Sequence, residues 1–385
     1  LLYCAPERLR QRSFVAALQA TRIGLVVIDE VHCVSMWGHD FRPDYVFLRS
    51  ALEMLGNPPM LGMTATATRD TERDIAASLG RSPDVVRASV VRENLRYEVV
   101  HVENEDERKR EVVRNIRKLE GTGIVYARSR MQCENLAHAL QQSGVAASFY
   151  HAGMDTADRT AVQEAFLQGR RRVIVATVAF GMGIDKPDIR WVILYNFPKS
   201  LEEYVQMVGR AGRDGEPSRC ILYASERDEQ NLHRFARSGI PTKEQLRAVF
   251  KAVKSRLNGG WAEVSADDLG LEAGLNAEED DARVLVGMLE RAGLVRRDFD
   301  SGRSMRIEKL PNPSDSAQRV DQLLQRYEQE AKERAVHMIA FANERRCRHL
   351  QVAGHFGETT PVPCHRCDVC DGSNGSRRSI VDVRP

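Results

Sequence analysis

The sequence predicts an α/β protein: two parallel-sheet units, then a smaller domain of helices and a hairpin, then a helical module that binds a metal. Three observations predict it. Short apolar runs alternate with helical stretches from the start of the chain to about Ala224, the pattern of parallel strands joined by helices. Beyond Ala224 the alternation stops, and three helical stretches lead into a hairpin signal. Finally, Cys347, Cys364, Cys367 and Cys370 crowd into C-x16-C-x2-C-x2-C.

Composition sets wide bounds. A chain of 385 residues with 42% hydrophobic content can bury two to four cores. A formal charge of +2 points to no particular partner, so nucleic-acid binding must rest on local basic patches. Candidates are Arg170-Arg171-Arg172, Arg296-Arg297, and Arg345-Arg346 with Arg348. No apolar run approaches the roughly 20 residues that span a bilayer, so no membrane partner is expected. Cys4, Cys33, Cys133 and Cys220 are scattered, as free thiols of a cytosolic protein are.

In chain order, Leu1 to Arg10 reads as a strand end and loop with a helix start at Pro6, and residues 11–22 as a helix. Ile23 to Ile28 is a nearly unbroken apolar run, expected as a strand buried on both faces. It ends in Asp29 and Glu30, with His32 following. Carboxyl ends of parallel strands are where α/β sheets bind ligands, so this acidic pair is placed to meet Mg²⁺ and a phosphate chain. The loop beyond carries Trp37, His39, Phe41, Arg42 and Tyr45, aromatics and cations of the kind that clamp unpaired bases. Phe47 to Leu55 reads as a helix, Met60 to Thr68 as a strand running into a Thr/Ala turn, and Arg69 to Leu79 as a helix. Hydroxyls such as Thr64 and Thr66 can bond a neighbouring carboxylate or a phosphate, or cap a helix.

Val99 to Asp106 reads as an acidic hinge. Strands follow at 123–126, 146–150, 172–176 and 190–196, and helices at 131–143, 156–168 and 200–208. Two loops stand out: Thr177 to Asp185, glycine-bearing and closed by an acid, and Gln206 to Gly215, with Arg210 and Arg213. Two arginines three apart in a glycine turn can point at one anion and neutralise charge on a transferring phosphoryl group. Helices at 243–257, 265–271 and 278–293, then a hairpin over Val295 to Glu308 turning at Asp300-Ser301-Gly302, give the order of a winged helix. The alternating arginines of the hairpin favour a nucleic-acid role over a protein contact. Pro311 and Pro313 break the chain before a charged helix at 315–346. The cysteine spacing can close a tetrahedral, structural Cys4 zinc site. His349, His355 or His365 could stand in for one thiolate.

Taken together, Asp29-Glu30-Val31-His32, Trp37-Gly38-His39-Asp40-Phe41-Arg42-Pro43, Thr64-Ala65-Thr66, Tyr150-His151-Ala152-Gly153, Ala179 to Pro187 and Gln206 to Gly215 follow the order of superfamily 2 helicase motifs. With the aromatic loop, CRHLQVAGHFGE and the cysteine triplet, the chain resembles the RecQ family of DNA helicases. The resemblance covers most of residues 1–240 and again about 325–371.

It implies two RecA-like parallel-sheet domains, the first incomplete, at 1–98 and 99–240. A winged-helix-like domain at 241–311, a zinc module at 312–372 and a tail at 373–385 would follow. It implies ATP-dependent 3′–5′ unwinding of DNA in recombination, repair and replication, with ATP and Mg²⁺ as cofactors beside structural Zn²⁺. DNA, single-stranded and at duplex junctions, would be the partner, in the cytoplasm of a bacterium or the nucleus of a eukaryote. Asp29 would hold Mg²⁺ and Glu30 act on the attacking water, beside His32. Arg213 would be the arginine finger, with Gln206, Arg210 and Asp185 completing the nucleotide site. Trp37, His39, Phe41, Arg42 and Thr177 would contact DNA. Were the hairpin a wedge at the DNA fork, Phe299 would stack, flanked by Arg297 and Arg303.

Two departures qualify this. The family's G-x-x-x-x-G-K-[ST] phosphate loop does not occur in these residues, so the chain alone is expected to hydrolyse no ATP. The winged-helix-like segment also precedes the zinc cysteines, whereas the family order is the reverse. It is either an insertion gripping duplex from a new position or an unrelated helical insert. An RNA helicase and a non-catalytic zinc-containing DNA-binding scaffold are the alternative readings.

Overall fold

The computed structural model describes residues 1–35, 41–181, 184–238, 240–276, 281–358 and 363–372. They form two compact units, residues 1–86 with 235–333, and residues 87–234 with the described residues from 334 to 372.

The first unit begins with a 3-10 turn at Pro6–Arg10 and helix α1 (Arg12–Gln19). Strand β1 (Val26–Ile28) pairs in parallel with β2 (Met60–Gly62), Ile28 opposite Gly62. Between them lie α2 (Pro43–Val46) and α3 (Leu48–Met54). After β2, Thr68 caps α4 (Arg69–Leu79) by accepting from the Thr71 amide at 3.2 Å. Ile28, Val31, Val34, Tyr45, Leu48, Leu52 and Leu79 form one core. The expected burial of the first strand on both faces is not met: Leu25, Val27, Leu61 and Met63 are exposed. With side chains alternating across a strand, only one face of this pair meets the core.

The second unit holds a six-stranded parallel sheet, β3 (Leu95–His101), β4 (Thr122–Tyr126), β5 (Ala147–Tyr150), β6 (Val173–Ala176), β7 (Ile189–Leu194) and β8 (Ser218–Ala224), in spatial order β3-β8-β7-β4-β6-β5. Helices α5 (Glu105–Lys118), α6 (Arg130–Gln142), α7 (Thr156–Leu167), α8 (Leu201–Val208) and α9 (Glu226–Ser238) connect or follow the strands. The middle strands are apolar except near their starts (Thr122, Arg190, Ser218 and Arg219), because both faces are covered. Gly123 is required on β4: a Cβ there would lie 2.1 Å from the Trp191 indole on β7. The expected boundary at 98/99 falls inside β3, and the expected acidic hinge is the end of that strand running into α5. Val99 pairs with Leu222 and His101 with Ala224 in a continuous parallel ladder.

The insert, part of the first unit, runs α10 (Lys243–Ser255), β9 (Trp261–Ser265), α11 (Ala266–Glu272), α12 (Ala282–Arg291), β10 (Val295–Arg297) and β11 (Ser304–Lys309). Its antiparallel sheet has the order β10-β11-β9. Thr242 and Gln245 form a capping box on α10. Leu246, Val249, Val253, Leu269, Leu285, Met288 and Ile307 fill the core, giving the winged-helix architecture. Helix α13 (Ser316–Asn343) and α14 (Arg348–His355) complete the described elements.

Candidate nucleotide and nucleic-acid sites

The acidic strand end is organised by its backbone. Glu30 sits in the left-handed region at φ 48°, ψ 45°, a conformation a non-glycine residue adopts at a cost, and one found often at functional sites. The Met63 amide bonds the Ile28 carbonyl at 2.8 Å, and the Val31 amide bonds the Met63 carbonyl at 2.9 Å, holding the two strand ends together. Buried His32 places Nδ1 2.8 Å from Thr64 Oγ1 and 3.2 Å from Glu30 Oε2. The threonine turn and the acidic pair therefore meet through one imidazole. The Tyr45 hydroxyl donates to the Asp29 carbonyl at 3.3 Å. Burial pushes the Tyr45 phenol up to about 12, so it remains a donor at neutral pH.

Trp37 and His39 lie outside the described residues. Phe41 and Arg42 do not: Arg42 is exposed, its amide bonding the Cys33 carbonyl at 3.0 Å. The Phe41 ring packs against the core of the winged helix. A Cβ on Gly287 of α12 would sit 3.8 Å from that ring and 3.5 Å from Pro43. The expectation of a freely stacking Phe41 is corrected to this extent: its half-buried ring packs on the insert core.

The same correction applies to the hairpin. Arg297 is buried, with Nη1 2.8 Å from Asp44 Oδ1 and Nη2 2.6 Å from Asp300 Oδ2. Its amide donates to Glu290 Oε1 at 2.9 Å. Buried Arg10 lies 3.5 Å from the same Asp44 carboxylate, and donates to the Arg297 carbonyl at 2.9 Å. Burial, with the charge of Arg297, lowers Arg10 to about 10 and leaves it charged at neutral pH. Phe299 meets Phe47 edge-on at 5.5 Å, with Arg12 5.2 Å over its ring. Arg297 is thus spent inside the unit, and the half-buried Phe299 ring is engaged by Phe47 and Arg12. Arg303, beyond Gly302 in the turn, is exposed.

In the second unit the two loops singled out in the sequence come together. Arg210 donates to the Gly181 carbonyl, and its guanidinium occupies the space a Cβ on Gly181 would take, so a larger residue there would push the arginine aside. Arg213 donates to the Ile184 carbonyl at 3.0 Å and pairs with Asp185 at 2.9 Å. Arg213 is partly exposed and Asp185 almost fully so, at 36% and 87%, which makes the pair weak and exchangeable. The buried Tyr126 hydroxyl donates to the Phe180 carbonyl at 2.9 Å. Thr177 is half-buried where the loop leaves the sheet, its amide bonding the Tyr150 carbonyl at 3.3 Å. Gln206 is half-buried on the last turn of α8.

Two residues missed in the sequence hold the arginine turn. Arg92 donates to the carbonyls of Gly209 (2.9 Å), Ala211 (3.0 Å) and Gly212. Asn94 donates to those of Gly212 (2.7 Å) and Glu216 (2.9 Å). Polar residues just ahead of a strand were the available signal, and they are common enough there to be silent.

The cysteines converge at the edge strand β3. Donor atoms of Cys347, His349, Cys364 and Cys367 all lie within 4.8 Å of one another, and Cys370 Sγ is 3.9 Å from Cys364 Sγ. Thiolates about 2.3 Å from a tetrahedral zinc are about 3.8 Å apart, so this spacing fits the ion. Amides of Cys364, Arg348 and Arg366 point at the sulfurs of Cys347, Cys367 and Cys364 at 3.4–3.5 Å, the hydrogen bonds that favour thiolate. His349 Nε2 lies 3.0 Å from the Leu95 carbonyl and its ring stacks on Tyr97 at 4.3 Å. The Asp368 amide bonds the Tyr97 carbonyl (3.2 Å), its carboxylate accepts from the Val99 amide (3.0 Å), and it pairs with buried Arg348. The module thus satisfies the open edge of β3, which otherwise would present unpaired backbone groups.

A parallel α/β unit carrying paired arginines beside a glycine loop, an acidic strand end tied to a threonine turn, and a cysteine cluster together define a helicase-type chain. Comparison with family models agrees: a DEAD/DEAH box helicase domain matches residues 1–75, a helicase conserved C-terminal domain 92–215, and a RecQ zinc-binding domain 297–371. A helicase Q1 relative from Caenorhabditis briggsae is 48% identical over 232 residues, 58% of this chain and 38% of its own length. The RecS relative from Bacillus subtilis (strain 168) is 34% identical over 331 residues, 84% of this chain and 64% of its own. The ATP-dependent DNA helicase RecQ of Pasteurella multocida is 38% identical over 265 residues, 68% and 41% respectively. The chain belongs to the RecQ family of helicases, and it spans less than two thirds of the length of each of these relatives.

Proposed function

We propose that these residues form part of an ATP-dependent DNA helicase that unwinds 3′ to 5′ in recombination, repair and replication. The observation that carries this reading is the His32 bridge between Glu30 and Thr64, 3.2 Å and 2.8 Å long. It links the carboxylate suited to act on water to the turn that follows the next strand. In this reading Asp29 holds Mg²⁺, which supplies charge neutralisation on the phosphates. Glu30 orients or deprotonates the attacking water. Arg213 exchanges its exposed partner Asp185 for the transferring phosphoryl group, with Arg210 and Gln206 fixing the turn. Trp37, His39, Arg42 and Thr177 contact the DNA. Cys347, Cys364, Cys367 and Cys370 hold structural zinc. No Gly-Lys pair occurs in the sequence, so the phosphate cradle is not supplied by these residues and the polypeptide alone turns over no ATP.

Strand displacement by a protein carrying these residues together with a phosphate loop tests the polarity. Duplexes with a 3′ single-stranded tail are unwound and those with only a 5′ tail are not. Equal unwinding of both, or unwinding confined to RNA, overturns the reading.

A further inference from the structure

We infer that the winged-helix insert turns toward its own unit the surface such folds ordinarily turn to DNA, and offers the duplex backbone the basic face of α10 instead. In a helix-turn-helix fold the second helix of the pair reads the major groove; here that helix is α12, after α11. It is already engaged. Gly287 abuts Phe41 and Pro43. Arg291 is paired with Asp74 at 3.0 Å. The wing that follows is held by the Arg297–Asp44 pair and by Phe299 on Phe47.

Helix α10 has the opposite character. Its apolar residues Leu246, Val249 and Val253 enter the insert core, while Arg247, Lys251 and Lys254 are exposed. Their i, i+4, i+7 spacing puts them within an arc of about 60° and along about 10 Å of helix axis. One strand of B-DNA presents about three phosphates over that length. Among the described residues none of the three has an ion-pair or hydrogen-bond partner. The neighbouring cations at the helix ends are spent, Lys243 on Asp321 and Arg256 on Glu272. Three such cations in a row on an exposed helix face suit a sequence-independent grip on phosphates.

The inference rests on DNA being the partner. Its test separates the two by measuring binding of a blunt-ended duplex to the 385-residue chain over a series of salt concentrations. Each phosphate contact contributes about 0.9 to the slope of log affinity against log salt. The triple variant Arg247→Gln, Lys251→Gln, Lys254→Gln is expected to lose about 2.7 of that slope. Lys251→Gln alone loses about 0.9, with circular dichroism unchanged in both. Unchanged slopes in folded variants overturn the α10 surface and leave the DNA reading standing. So does a slope that flattens with Arg303→Gln while the triple variant keeps its own. A chain that binds no DNA at all overturns both.

Discussion

At the scale of single residues, side chains alike in the sequence take opposite roles. Arg297 and Arg303 flank one hairpin turn and read equally well as DNA contacts. The structure spends Arg297 on two carboxylates inside the first unit and leaves Arg303 in solvent. Breaking a buried charge network strands its partners, whereas an exposed arginine contributes little. Arg297→Ala is therefore expected to lower unfolding free energy by about 3–5 kcal/mol and Arg303→Ala by about 0.5 kcal/mol or less, read from denaturant melts. Equal effects would contradict the burial of the network. The positions of Asp29 and Glu30 at a strand end, and of Arg210 and Arg213 in a glycine turn, were legible from the apolar run and the glycine spacing around them. The roles of Arg92 and Asn94 were not, because their partners are backbone carbonyls more than a hundred residues away.

At the scale of elements, apolar periodicity located most helices and strands closely. Helix α4 falls where expected at Arg69–Leu79, and the hairpin turns at the expected residues. Several elements escaped, β8, α9 and α14 among them, and three others show why. Helix α5 is dominated by charged residues, so its apolar face is only Val112, Ile116 and their neighbours. Strand β9 is five residues long between a glycine pair and a helix. Strand β3 was cut in two by its own polar members. That strand also explains what the zinc module does for the fold: Leu95, Tyr97 and Val99 are bonded by His349 and Asp368. Stripping the metal with a chelator, or replacing Cys367 by Ser, is expected to lower Tm and to open the β3 amides to hydrogen exchange. About one zinc per chain would be lost with them. Retained protection of Val99 in metal-free protein would show that the module holds the edge without zinc.

At the scale of the whole molecule, the chain carries two separately built sets of parts. One is an acidic strand end with its histidine–threonine bridge, in a unit that also contains the winged helix. The other is an arginine turn clamped to a glycine loop, in a unit that also contains the cysteine cluster. Docking of the insert on the first unit was not legible, since it depends on Asp44 lying between Arg10 and Arg297, residues scattered along the chain. The central claim is that these parts serve one DNA-dependent ATP hydrolysis. DNA-stimulated ATPase tests it most directly, comparing these 385 residues alone with a protein that adds a phosphate loop, and each with Arg213→Ala. The account predicts no turnover by the 385 residues. It predicts DNA-stimulated turnover once the loop is present, and a fall of about 10³-fold or more on Arg213→Ala. Turnover without the loop, or turnover indifferent to Arg213, would contradict it.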